Sequence, residues 1–290
     1  MVYLENNFLH IAVCERGGTL SSIRNKQTQM EYLWSRNSPG RPSSPNLFPF
    51  IGRLYGGVYT LHGKQYSMAM HGFLSDMDLS VEDAGECRCI MLLKSSEETR
   101  KQYPYEFELY IEYTLEDNEL KTSFHVKNTD PEIMFCAVGG HPAFRVPLEE
   151  GLQFEDYDLV FSEPCHPRRV EFTDSVLYDG VQSPYPLMED RRIPLRHELF
   201  LHDALVLADT SGKVSIVSEK GKHGVSLSYP DIPYVGFWQF DKPGTPFICI
   251  EPWSALPGRE GITEELERMD DMFQVLPGET LHRGWTIKVW

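Results

Sequence analysis

Basic residues are scarce in this chain: 27 Lys and Arg stand against 43 Asp and Glu, for a formal net charge of −16. A surface this acidic disfavours nucleic acid and anionic membranes as partners, because both are gripped through clustered Lys and Arg. It leaves room for a small neutral ligand, or for one anion held locally by a few arginines. Long apolar runs are also missing. No stretch approaches the roughly 18 to 20 apolar residues that a membrane-crossing helix needs. The opening MVYLENNFLH contains Glu5 and lacks a basic segment followed by an apolar one, so no secretory signal is expected. Cysteine is thin: six residues, at 14, 87, 89, 136, 165 and 249, lie scattered through apolar runs. Disulfide frameworks are denser and belong to shorter secreted chains. Cys87 and Cys89 form a CxC pair with no second Cys or His pair nearby at zinc spacing, so they read as two positions on one face of a strand. Reduced thiols and a cytoplasmic protein are the expectation. GxGxxG and P-loop spacings are absent as well, which removes the usual nucleotide cradles.

What is present is a period of two. In 106–115, Phe107, Leu109, Ile111, Tyr113 and Leu115 alternate with Glu108, Tyr110, Glu112 and Thr114. In 119–127, Leu120, Thr122, Phe124 and Val126 alternate with Lys121, Ser123, His125 and Lys127. Asp117-Asn118 supplies the turn, so the pair predicts a hairpin with one buried and one wet face. Similar short runs recur along the chain, punctuated by 22 Gly and 20 Pro. Helical candidates are limited to 96–102 and 263–271, with Ser96 and Thr263 as N-caps. More than a dozen short strands with little helix predict an all-β fold, a large antiparallel sandwich. With no repeat and no linker-like shift in composition, 1–290 reads as a single domain. The irregular, Pro- and Ser-rich stretch 35–49 reads as a loop pinned over a binding face.

Four places break the alternation. Arg53, at the end of FPFIGR, is either a solvated arginine in a Gly-rich turn or a ligand contact. His71 precedes Gly72, whose missing side chain permits a sharp turn. His141 sits between Gly140 and Pro142, and the proline biases it toward extended backbone. The glycines before it permit close approach of a chain or a ligand. Glu251 follows the apolar run Phe247, Ile248, Cys249 and Ile250, and a carboxylate so placed must be paired, hydrogen-bonded or functional. Burial raises carboxyl basicity, which suits a general base.

Taken in order, LFPFIGRLYGGVY (47–59), MHGFLSD (70–76), GGHPAF (139–144), LHDALVL (201–207) and PFICIEPW (246–253) resemble the aldose 1-epimerase (mutarotase) family, in its LacX-like branch. The resemblance spans nearly the whole chain. It implies a galactose mutarotase-like β-supersandwich with the site on a concave sheet face. It further implies Glu251 as general base, His141 as general acid, and His71 as a second, sugar-binding histidine. Arg53 and Asp203 match residues that hydrogen-bond sugar hydroxyls, and Gln239 is matched more loosely to a further binding position. Many family members carry Asn directly before the arginine, where this chain has Gly52, which puts a galactose preference in question.

The implied reaction interconverts hexose anomers with no metal or organic cofactor. Trp34, Phe73, Trp238 and Trp253 are the candidates for an aromatic platform under the sugar. Two alternatives stay open. A hexose 6-phosphate could be clamped by Arg36 and Arg41, or the sandwich could bind carbohydrate without catalysis. A glycoside hydrolase would want two carboxylates flanking the bond, a pairing that Glu251 and Asp203 only superficially offer. The partner expected is a small sugar, with the protein a monomer or homodimer.

Overall fold

The hairpin forms as two ten-residue strands, Phe107–Glu116 and Glu119–Asn128, paired from Glu116↔Glu119 to Phe107↔Asn128. The structure is a computed structural model describing residues 1–35, 44–240, 242 and 244–290. Phe107, Leu109, Ile111, Tyr113, Leu120, Phe124 and Val126 are all buried. Each such side chain contributes about 1.5–3 kcal/mol relative to exposure. The opposite face is wet and carries ion pairs such as Lys94–Glu108 and Arg88–Glu112.

Around this hairpin grows a nine-stranded antiparallel sheet. From one edge it runs Arg192–Pro194, Asp158–Phe161, Lys213–Val217, Val225–Ser228 and Thr280–Val289. It continues through the hairpin, in reverse order, to Arg88–Lys94 and Ser80–Ala84. A second sheet, of eight strands, is ordered Tyr178–Pro184, Arg168–Phe172, Leu205–Ala208, Tyr234–Trp238, Phe247–Trp253, Gly139–Gly140 and Asn46–Leu47. Its eighth strand, Ala143–Arg145, also pairs with Phe247–Trp253. The sheets face each other: Phe161 of the first meets Phe237 of the second edge-on, with ring centroids 6.4 Å apart. A Cβ on Gly140 would stand 2.6 Å from the Trp285 ring, so the second sheet approaches the first at a point only glycine allows. One apolar core runs between the layers from Leu4 to Val289. The all-β sandwich read from the sequence is therefore the fold observed.

The two helical expectations part company. At 96–102 a single α-turn forms over Glu97–Arg100, with Ser96 Oγ accepting from the Thr99 N–H and Thr99 Oγ1 accepting from the Ser96 N–H. At 263–271 the expected helix is replaced by the short strand Glu264–Glu265, paired in parallel with Val58–Leu61, and a 3₁₀ turn at Leu266–Arg268. The cause is the strand pairing with Val58–Leu61 together with a local ion pair. Arg259 donates from Nε and Nη2 to the two oxygens of the buried Glu264 carboxylate, and helix propensity gives way to that anchor. All six cysteines are free thiols. Among the described residues no helix is long and apolar enough to cross a membrane.

Candidate functional site

The strand Phe247–Trp253 is buried on both faces. Ile248 and Ile250 enter the core between the sheets, while Phe247, Cys249, Glu251 and Trp253 line a cavity on the other face. That alternation is the strand's period of two. Glu251 is therefore not a strand terminus but an inward-facing position within the strand. The cavity encloses about 510 Å³, within the roughly 300–1,000 Å³ usual for small-ligand sites.

His141 is carried to the cavity by the glycine strand before it. A Cβ on Gly139 would lie 2.8 Å from the Pro252 carbonyl oxygen, so the backbone hugs the Glu251 strand at closer range than a side chain permits. The His141 N–H donates to Pro45 O, and the Ile250 N–H donates to Pro142 O. The ring is delivered with Nε2 3.2 Å from Glu251 Oε1. Trp253 Nε1–H donates to the other carboxylate oxygen, Oε2, at 3.1 Å. His141 Nδ1 is buried with no partner among the described residues.

His71 is held by a different device. His71 and Gly72 both adopt left-handed backbone, with φ of 65° and 79°. A Cβ on Gly72 would stand 2.0 Å from Phe48 O, so glycine is obligatory there. The Gly52 N–H donates to His71 Nδ1 at 3.1 Å, and the His71 N–H returns a bond to Gly52 O. A backbone N–H can only donate, so Nδ1 bears no proton and Nε2 carries it in the neutral ring.

Burial sets the protonation of these groups. It pushes His141 down to about 4. It pushes His71 down to about 3, helped by His141 and Arg53. Glu251 is driven well above the usual carboxylate range by burial, with Asp203 adding to the rise and the Trp253 hydrogen bond opposing it. Charge on either partner is costly here, so burial favours the neutral pair, with the proton on the Glu251 carboxyl and His141 as neutral imidazole.

Arg53 and Asp203 line the same cavity. Arg53 is exposed and makes no ion pair with the described residues. Asp203 adopts a φ of 74°, and its Oδ1 accepts from the Ala204 N–H at 2.8 Å. Five of the six anticipated residues thus share one cavity. Gln239 does not. It follows Trp238 along the chain, and the neighbours Trp238 and Phe240 take the cavity side. Gln239 is buried away from the cavity, with Nε2 2.8 Å from His197 Nδ1. Arg36 and Arg41 fall outside the described residues. Of the loop 35–49, Ser44, Pro45 and Asn46 meet the segment that carries His141: Ser44 Oγ accepts from the Ala143 N–H, Pro45 O from the His141 N–H, and Gly140 pairs with Asn46.

The aromatic wall differs in part from expectation. Trp34, Trp238 and Trp253 line the cavity, but Phe73 is in the main core against Phe48 and Tyr103. Phe247 and Phe240 take its place. Trp34 stacks on Phe247 at 4.1 Å, and Phe240 sits edge-on to Trp238 at 4.9 Å. The parity of Phe247 with Glu251 was the signal for it. Gly52 has φ +65°, and the Pro257 ring lies 2.4 Å from where its Cβ would be, so a proline fills the space of any side chain at 52. One His141 nitrogen, Cys249 Sγ and one Glu251 oxygen lie within 4.8 Å of each other, close enough to hold a metal ion.

A family model described as aldose 1-epimerase matches residues 1–271. The chain is 31% identical to the chromosomally encoded protein LacX of Lactococcus lactis subsp. lactis, over 99% of both chains. It superposes on a galactose mutarotase related enzyme from Lactobacillus acidophilus with TM-score 0.93 and 33% identity, covering 99% of this chain and 96% of that one. A galactose mutarotase-like protein from Lactobacillus casei gives TM-score 0.92 and 30% identity over the whole of both chains.

Proposed function

Because the chain belongs to the aldose 1-epimerase family, we propose that it interconverts the α and β anomers of a hexose by opening and reclosing the ring. The observation that carries this reading is the buried contact between His141 and Glu251, 3.2 Å apart, facing a sugar-sized cavity. A binding module has no use for two such costly groups in contact.

The anomeric hydroxyl oxygen and the ring oxygen are bonded to the same carbon. An acid and a base in contact with each other can therefore reach both at once. Once the pair's proton has crossed the 3.2 Å contact to His141, Glu251 takes the proton from the anomeric hydroxyl while His141 delivers one to the ring oxygen. The bond from C1 to the ring oxygen breaks and the open-chain aldehyde forms. Rotation about C1–C2 and reclosure, with the proton transfers reversed, give the other anomer. One proton enters the pair as another leaves, so its proton count is the same before and after ring opening. The Trp253 N–H supports the carboxylate form of Glu251. His71, fixed as the Nε2–H tautomer and kept neutral by burial, acts as a hydrogen-bond donor to the sugar. Arg53 and Asp203 bind hydroxyls, and the aromatic wall takes an apolar ring face. Catalysis of this kind calls on no cofactor. The reading assigns the whole of 1–290 to one domain, and the six free thiols support a cytoplasmic, reducing environment.

The test is optical rotation and NMR anomer exchange on α-glucose, α-galactose and glucose 6-phosphate. Faster equilibration by wild type, lost in Glu251→Gln and His141→Asn, supports the reading, and the preferred sugar fixes the substrate. No acceleration of any of these sugars would overturn it in favour of a sugar-binding sandwich.

A further inference from the structure

Cys249 is the cavity group that the epimerase chemistry leaves idle. It stands two residues before Glu251 on the same strand, so both side chains leave the same face. Its partner across the sheet is Ala143, two residues beyond His141. This register brings the thiol to the acid–base pair, with all three donor atoms within 4.8 Å. Among the described residues, no other set of three His, Cys, Asp or Glu side chains is gathered closely enough to share an ion.

Imidazole nitrogen, thiolate sulfur and carboxylate oxygen form a donor set suited to zinc. Tetrahedral bonds of about 2.0–2.3 Å hold ligand atoms under about 4 Å apart, so a contraction of roughly 1 Å closes the set. Three protein donors would leave a fourth position for water. Binding releases the thiol proton and the proton of the His141–Glu251 pair. The same nitrogen and oxygen atoms would have to hold either the ion or the anomeric centre, not both.

We infer that His141, Cys249 and Glu251 form a capture site for a thiophilic divalent cation, zinc being the ion that fits, and that an occupied site excludes the sugar. The exclusion rests on the function proposed above. The metal site itself rests only on donor chemistry and geometry.

The test titrates Co²⁺ into the reduced, full-length protein. One equivalent is expected to produce a near-ultraviolet thiolate-to-cobalt band that Zn²⁺ abolishes. Cys249→Ser and His141→Asn should each remove the band and weaken Zn²⁺ by more than about a hundredfold, exceeding the loss of about 10–100-fold for an outer-shell partner. Near-ultraviolet circular dichroism checks that both variants stay folded. The control is the exposed cross-strand pair His125 and His282, whose Nδ1 atoms are 2.7 Å apart. Replacing both with Ala should leave the band intact. No band in wild type, or a band that survives Cys249→Ser, overturns the site. In the mutarotation assay Zn²⁺ should raise KM at constant kcat, reversibly with EDTA, and inhibition that sugar cannot relieve overturns the exclusion. If no hexose is equilibrated at all, the cobalt band still decides the metal site, so the two failures remain distinguishable.

Discussion

The hairpin Phe107–Asn128 and the strand Phe247–Trp253 obey the same two-residue alternation, yet put their polar side chains to opposite uses. On the hairpin, Glu108 and Glu112 point into water and are answered by Lys94, Lys127, Arg88 and His125. On the site strand, Glu251 points into a cavity and is answered by a histidine that burial also prefers neutral. Solvated pairs of the first kind contribute about 0–1 kcal/mol and tolerate change. The second kind costs stability and persists where its chemistry is needed. The lesson is that the alternating pattern fixes which face a residue occupies, while the element covering that face decides whether a charge is ornament or reagent.

The comparison breaks most visibly in activity. Glu251→Gln and His141→Asn are each expected to lower kcat by about 10² to 10⁴-fold. The double variant should be little worse than either, since each partner needs the other. Additive losses, measured by anomer exchange, would mean that the two groups do not act as a pair. Next in size is Gly72→Ala. Its methyl would have to displace the Phe48 backbone carbonyl and accept a left-handed conformation. A loss of about 2 kcal/mol or more is expected in urea unfolding.

A smaller effect concerns pH. His71 and His141 are pushed down to about 3 and about 4 in the folded protein, against about 6.5 in an unfolded chain. Between these limits the unfolded state binds more protons, so stability falls as pH drops from about 6.5. Glu251, raised by burial, acts with the opposite sign, costing stability as pH rises above the usual carboxylate range. His71→Gln should therefore lose less stability than wild type between pH 7 and pH 5, whatever its starting value. An equal loss in both would show that His71 does not titrate low. Smallest of all, Lys127→Ala on the wet hairpin face should shift stability by under about 0.5 kcal/mol. A larger shift would erase the contrast between the two regions.

Much of this was legible in the sequence where a single physical rule dominates. The hairpin could be read to within a residue because its alternation is unbroken and its turn is polar. His71 and His141 stood out through glycines that the structure shows to be sterically required. The failures came from rules that compete. TEELERMDD has helical composition, but an arginine just before it and a parallel strand partner some 200 residues away override helix propensity. Reading 247–250 as one apolar run hid its parity, and with it Phe247. Applying parity to Trp238 would have turned Gln239 away from the cavity. Phe73 could not be told from a platform residue by type alone, since a core and a sugar-binding wall use the same aromatic rings.

Gly52 and Pro257 meet because two segments some 200 residues apart interlock, one providing a ring and the other a gap. That fit constrains the order in which the site could be remodelled by substitution. A φ of +65° at position 52 is one that Asn adopts at less cost than most larger residues. An amide introduced there first would collide with the proline. Shrinking Pro257 first opens the space and leaves Gly52 undisturbed. The least strained route between an apolar and a polar corner here therefore runs through the form with neither the ring nor the amide.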